Sequence, residues 1–298
     1  MGELPRRLTA AQISGRRWRP EYPIPLGLVL LAPALVLFAV LFLVPLGRVI
    51  TISVTDPYFG LERYQAFFQS SAEVKALIRT LEVCGIVTAI TVPAGAVVAW
   101  TLRTARSRIL RILLWSGTIF PLWMSVVVFT YVFTILLGRY GVVNRALRAS
   151  GLTSEPVSLL YNTRAVVIAM VYVLLPLAIL PLYVTFARID EDLVLAAESL
   201  GASRIRALTS ILFALALPGF VASAALVFTV GMGFYITPTV LGSATQPFLA
   251  SRIADQVGSE FDVPAAATGS SILFLIALVI LAAVVLFVGP RRLRRALA

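Results

Sequence analysis

Leu26-Gly-Leu-Val-Leu-Leu-Ala-Pro-Ala-Leu-Val-Leu-Phe-Ala-Val-Leu-Phe-Leu-Val-Pro-Leu-Gly47 contains no polar side chain. Wound as a helix, about 22 residues rise roughly 33 Å, enough to cross the hydrocarbon core of a bilayer. A cleavable signal peptide has a shorter apolar core and a small-residue cleavage site after it. Val44-Pro-Leu-Gly-Arg48 supplies no such site, so the run is read as a retained span. Five more apolar runs follow, at residues 81–102, 109–138, 165–187, 211–237 and 265–288.

The composition agrees. Of 298 residues, 59% are hydrophobic and 13% charged, with a mean hydropathy of +0.95. Soluble domains carry roughly 45–50% apolar and about 25% charged residues. Here the excess is gathered into long runs with short polar intervals, so the expected fold class is all-α. It is a polytopic membrane helix bundle with about six transmembrane helices.

The net charge of +11 raises a nucleic-acid reading, and the inventory opposes it. Lys75 is the one lysine, and the arginines sit at the ends of apolar runs instead of along one face. A solvated groove for phosphates is not built that way, so no nucleic-acid partner is expected. Membrane topology accounts for the charge. Arg6, Arg7, Arg16, Arg17 and Arg19 precede the first span; Arg103, Arg106, Arg108 and Arg111 follow the second. Arg188, Arg204 and Arg206 follow the fourth, and Arg291, Arg292, Arg294 and Arg295 follow the sixth. Positive charge is retained inside, which places both termini in the cytoplasm.

The chain has no histidine, and its single cysteine, Cys84, lies within an apolar run. An internal disulfide is impossible, and the usual His-based metal sites and catalytic triads are absent. No catalytic residue and no metal site is expected. A phosphate-binding loop requires Gly-Lys-Ser/Thr, whereas Lys75 follows Val74; the chain carries no ATPase motif. Pro93, Pro121, Pro176, Pro181 and Pro218 fall in or beside spans. They kink helices either around a pathway or simply for packing.

One polar interval has an internal design: Arg188-Ile-Asp-Glu-Asp-Leu-Val-Leu-Ala-Ala-Glu-Ser-Leu-Gly-Ala-Ser-Arg-Ile-Arg206. Asp190 suits an N-cap, and Glu191 and Asp192 lie where the helix dipole favours negative charge. Leu193, Ala196, Ala197 and Leu200 recur at i, i+3, i+4 and i+7, one apolar stripe. Gly201 supplies a C′ stop, and Ser203, after Ala202, can cap a second helix running toward Pro218. Such a helix lies on the membrane, covers its own bundle, or docks on a partner. Surface binders carry basic polar faces; this one is acidic, with Glu198 on it.

This interval resembles the cytoplasmic "EAA" loop of permease subunits in binding-protein-dependent ABC importers, with their MetI-like transmembrane domain. Ala196, Ala197, Gly201 and Ile211 fall at the family spacings, and Leu217-Pro-Gly219 follows. Leu195 stands at the glutamate position, with Glu191 and Glu198 about a turn to either side, and Ala214 replaces the first proline. Pro121-Leu-Trp-Met-Ser125 with Gly138-Arg-Tyr-Gly-Val-Val-Asn144 is similar to spermidine/putrescine-type permeases. So are Pro176-Leu-Ala-Ile-Leu-Pro-Leu-Tyr183 and Phe234-Tyr-Ile-Thr-Pro-Thr-Val-Leu-Gly242, although Phe129 stands where an arginine is common.

The resemblance implies a bacterial cytoplasmic-membrane importer subunit that binds no cofactor itself. Its coupling helix, between the fourth and fifth spans, grips separate ABC ATPase subunits (a dimer) that use ATP-Mg. A second permease, as a heterodimer in preference to a homodimer, completes the pathway within membrane lipid. An extracytoplasmic solute-binding protein delivers the solute, a polyamine-like cation in preference to iron, a phosphonate or an opine-like compound. The expected organisation is a cytoplasmic tail at 1–25, first span and outer loop at 26–76, permease domain at 77–290 and basic cytoplasmic tail at 291–298.

Pathway residues are sought among Glu82, the acid nearest a span, and Trp123, Tyr131, Phe234 and Tyr235, whose ring faces attract cations. Each has a plain structural alternative: Glu82 pairing with Arg79, the aromatics packing or lying in the interfacial belt. Asp255, Glu260 and Asp262 make an acidic last outer loop, read as a solvated face toward the binding protein. A stand-alone secondary transporter is the rival class, and it would need acids buried mid-span.

Overall fold

The computed structural model describes residues 24–55, 59–190, 192–243 and 245–288. Residues 1–23 of the expected first tail, the whole expected tail 291–298, and Glu191 lie outside them. All regular structure among the described residues is helical. The chain divides into two units, Met1–Val49 and Ile50–Ala298.

In the first unit, α1 (Ile24–Phe38) passes through one π-helical turn, Ala39–Leu43, and α2 (Val44–Thr55) begins there and continues into the second unit. Pro45 has no N–H to give to the ladder, and immediately before it the Val44 N–H bonds to Ala39 O, a π-type i→i+5 bond. The apolar stretch runs to Thr55, beyond the expected end at residue 47, because Gly47 and Arg48 do not break the helix.

The second unit holds α3 (Glu62–Gln69), α4 (Ser71–Thr104), α5 (Arg108–Trp123), α6 (Val126–Leu137), α7 (Val142–Ala149), α8 (Thr163–Ala187), α9 (Asp192–Ser199), α10 (Arg204–Met232), α11 (Ile236–Leu241), α12 (Leu249–Gly258) and α13 (Val263–Val288). Its centre is α4, α8 and α10, which pack on one another. The three meet at Ala178. A Cβ on Gly95 would lie 2.8 Å from the Ala178 Cβ, and Ser223 Oγ donates to Ala178 O at 3.1 Å. Small residues let the backbones approach this closely, which is how helices associate in lipid.

Six helical stretches among the described residues are long and apolar enough to span a membrane: Leu31–Thr55, Ser71–Thr104, Val126–Ala149, Thr163–Ala187, Leu215–Met232 and Val263–Phe287. Packing corrects the third. Leu114 and Trp115 of α5 join the cluster of Leu102 and Phe186, whereas Phe129 and Leu137 of α6 join that of Val83 and Met170. Helices α5 and α6 thus occupy successive depths and make one crossing, broken at Met124 and Ser125, which are both extended. The single helix expected over 109–138 is therefore two.

The expected span 211–237 is corrected likewise. Helix α10 starts at Arg204 and stops at Met232, and Gly233 and Phe234 close a turn through bonds to Val230 O and Gly231 O. Phe234 and Tyr235 lie outside the span, and Thr237, fully buried, belongs to α11, which packs on α6. The expected span 81–102 is too short by a decade of residues at its start. Ser70 caps α4, its Oγ accepting from the Glu73 N–H at 3.4 Å.

Candidate functional site

At one end of α4, Arg103 donates to Ile189 O at 2.6 Å and lies over the Trp100 ring, 5.3 Å from its centroid. This anchors the strand of chain that enters α9. Asp190 Oδ1 accepts from the Asp192 N–H at 3.0 Å. The other end of α9 closes with Gly201 at φ +91°, its N–H on Glu198 O at 2.9 Å and the Ala202 N–H on Ala197 O at 3.1 Å. That pair of bonds is the Schellman stop, which favours glycine at this conformation. Leu195 and Ala196 lie within α9. Ala197, Glu198 and Ala202 are half-buried, while Leu193 and Leu200 project into the open, Leu200 at 88% exposure. Ser203 occupies the N-cap of α10, but its hydroxyl makes no capping bond. Helix α9 packs against α10, so an apolar edge is held out on a short, firmly ended helix.

At the opposite end of α4 lies a cavity of about 520 Å³, lined among others by Lys75, Arg79, Glu82, Gln246 and Arg252. Glu82 sits eleven residues inside α4, not at its end. It pairs with Arg79 at 3.8 Å, and Arg79 also donates to the Thr163 hydroxyl. Behind the cavity is Glu73, whose carboxylate is buried. Its Oε1 accepts from Arg252 Nη2 at 3.0 Å and Gln256 Nε2 at 3.1 Å. Burial alone would lower the Arg252 pKa, but the hydrogen bond and charge of Glu73, and then those of Glu260, raise it above the ordinary guanidinium value.

The acids expected in the last outer loop are partly ion-paired. Glu260 pairs with Arg252 at 3.0 Å and Asp262 with Arg63 at 3.4 Å, so two of its three acids are neutralised. Sequence reasoning also missed Glu73. The signal was present in Ser70-Ser-Ala-Glu73, an Ser-x-x-Glu capping box that starts α4 where it does start.

The four aromatic pathway residues are not brought together as one lining. Trp123, at the end of α5, is 86% exposed; Tyr131 and Tyr235 are exposed on separate elements; Phe234 packs against the buried core. Tyr172 of α8 instead forms the aromatic cluster, stacking on buried Phe129 with centroids 5.1 Å apart, and meeting Phe133. Phe129, at the position where the resembling permeases often have arginine, is thus part of an apolar core.

Broken apolar helices around a small-residue centre, with an amphipathic hook at one end, define a polytopic membrane protein. Residues 91–296 match the family described as "Binding-protein-dependent transport system inner membrane component", and the chain belongs to that family. It is 30% identical over 208 residues to the spermidine/putrescine transport system permease protein PotB of Salmonella typhimurium (strain SL1344), covering 70% of this chain and 72% of that one. PotB of Escherichia coli (strain K12) is 29% identical over 208 residues, covering 70% and 75%. The inner membrane ABC transporter permease protein YdcU of the same strain is 27% identical over 230 residues, covering 73% and 72%. The fold is shared with a bacterial ABC transporter involved in the import of the acidic polysaccharide alginate: TM-score 0.70 at 19% identity, covering 87% of this chain and 93% of that one. The alginate transporter in complex with an alginate pentasaccharide-bound periplasmic protein gives TM-score 0.72 at 18% identity, covering 90% and 95%. The chain is a permease subunit of an ABC importer and a multi-pass protein of the bacterial inner membrane.

Proposed function

We propose that this permease carries a polyamine-like cation inward, and that α9 is the helix through which a separate ATPase drives it. The observation that carries the coupling role is the hook itself: Leu193 and Leu200 exposed on a helix closed by Gly201 at φ +91°. An exposed apolar edge bounded by acids suits a protein groove better than anionic lipid. The EAA-loop spacing of Ala196, Ala197 and Gly201 supports the same reading, with Asp190, Glu198 and Ser203 as polar neighbours, Ala202 following the stop, and Leu195 as its departure; Glu191 lies outside the described residues.

On this reading both termini and α9 face the cytoplasm, and residues 77–290 form the permease domain. A second permease, in a heterodimer, supplies the other half of the pathway. ATP-Mg binds to the ATPase pair, whose closure moves the two coupling helices and rocks the bundle; the loaded binding protein biases the other end. Both inputs act on one two-state element. The polyamine class rests on the PotB relatives. One observation favours a second reading, a phosphonate or other anionic solute: Lys75 lines the cavity beside Arg79 and Arg252. Among these three described cations, Arg79 already pairs with Glu82, and Arg252 with Glu73 and Glu260. Uptake of labelled putrescine against a labelled alkylphosphonate by the reconstituted transporter separates the two.

The coupling role is tested by Gly201→Leu. Forcing an L-residue into the left-handed region costs about 1–2 kcal/mol, yet a Cβ there meets nothing within 4 Å. Insertion and assembly are expected to survive while α9 loses its stop. ATPase activity then continues without uptake. Normal uptake by this variant refutes the assignment.

A further inference from the structure

Two non-glycine residues among those described have left-handed backbone, Tyr161 at φ 57° and Phe261 at φ 55°. Phe261 is the more telling. It lies between α12 and α13, where the chain folds back so sharply that the Asp262 N–H reaches Gln256 O at 2.9 Å. The turn needs a left-handed residue, and glycine meets that need without the clash a Cβ brings. The chain supplies phenylalanine, and its ring is 81% exposed. Packing within the chain therefore does not offset the backbone strain.

The residues on either side are fixed. Glu260 is held by Arg252 at 3.0 Å, and Arg252 is itself held by buried Glu73. Asp262 is held by Arg63 at 3.4 Å, and its Oδ1 accepts the Ala265 N–H at 3.0 Å to cap α13. Phe261 is thus an aromatic ring displayed from a backbone clamped on both sides. Strain kept in place by its surroundings clusters at functional positions, and aromatic residues, phenylalanine included, are enriched at protein interfaces.

We propose that Phe261 is a pre-organised anchor by which the extracytoplasmic binding protein docks on this permease. The inference rests on the importer reading above and adds the contact residue. A lipid-facing role is less well matched. Interfacial belts favour Trp and Tyr, which have a polar end, and Phe261 has none. Tyr161, with its hydroxyl, is the belt-like counterpart and serves as the control.

The test uses the complete transporter in nanodiscs, with the binding protein of the same system loaded with its solute. Phe261→Gly removes ring and strain together; Phe261→Ala removes the ring and keeps the strain. For Phe261→Gly the thermal midpoint is expected to be unchanged or raised. For both variants the basal ATPase rate is expected to stay unchanged, while the binding-protein concentration giving half-maximal stimulation rises about tenfold. Tyr161→Gly should leave that concentration unchanged. An unaltered half-maximal concentration in both Phe261 variants overturns the proposal, whether or not their stability changes; a drop in stability alone marks the ring as a packing or membrane residue. If the unsubstituted transporter is not stimulated at all, the importer reading fails together with this one.

Discussion

Glu73 and Glu82 lie on one helix and face different physics. Glu73 is 8% exposed, with Arg252 and Gln256 donating to one oxygen, while Oε2 is buried with no hydrogen-bond partner among the described residues. Glu82 has a side chain 58% exposed and one long contact to Arg79. Glu73→Gln removes the charge that Arg252 and Gln256 converge on and leaves buried donors poorly matched, a cost of about 1–3 kcal/mol. Glu82→Gln removes a solvent-exposed pair worth about 0–1 kcal/mol. Thermal unfolding in detergent should therefore show a clear drop in midpoint for the first and almost none for the second. Equal midpoints would contradict the burial argument. Glu82 was easy to single out in the sequence because it interrupts an apolar run. Glu73 was hidden because it stands in polar surroundings, and only burial by α12 gives it meaning. Gly201 was legible for a local reason: a glycine ending a short amphipathic stripe predicts its own left-handed backbone.

Among the elements, α4, α8 and α10 approach closely at Ala178, where Gly95 and Ser223 meet it. Gly95 faces Ala178, and a Cβ on Gly219 would collide with Thr185. Gly95→Val drives α4 away from α8, with overpacking of about 1–3 kcal/mol. Gly85→Ala, on the same helix with nothing within 4 Å of the added Cβ, should be neutral or slightly stabilising, since alanine is the better helix former. Yield and midpoint of the two variants compare them directly, and a tolerant Gly95 would mean the helices do not meet there. The crossings themselves were legible because hydropathy reports whether a segment sits in lipid. The breaks at Met124–Ser125 and after Met232 were not, because both fall among apolar residues and hydropathy carries no information on backbone direction. Non-helical backbone is allowed at such depth where protein surrounds it, and Thr130 Oγ1 lies 3.1 Å from Thr237 Oγ1 where α11 meets α6.

For the second unit as a whole, α4 sets the separation of the two candidate sites. Its 34 residues rise about 50 Å, with Arg103 tied to Ile189 at one end and Glu73 tied to Arg252 at the other. The coupling loop and the Phe261 turn must therefore open on opposite sides of the membrane. On the reading proposed above, solute identity was not legible in the chain because another permease completes the pathway and carries half of its chemistry. The sidedness is testable with this chain alone, because Cys84 is its one cysteine and is fully buried. Ser199 and Ser259 are both exposed, and each can be replaced by cysteine without disturbing the core. A membrane-impermeant maleimide applied to cells with a permeabilised outer barrier should label Ser259→Cys and spare Ser199→Cys. Inverted membrane vesicles should reverse the pattern. Labelling of both from one side would break the link between α4 length and sidedness. A complete exchange of the two patterns would keep the geometry and overturn the orientation inferred from the arginines, and with it the placement of α9 where a cytoplasmic ATPase can grip it.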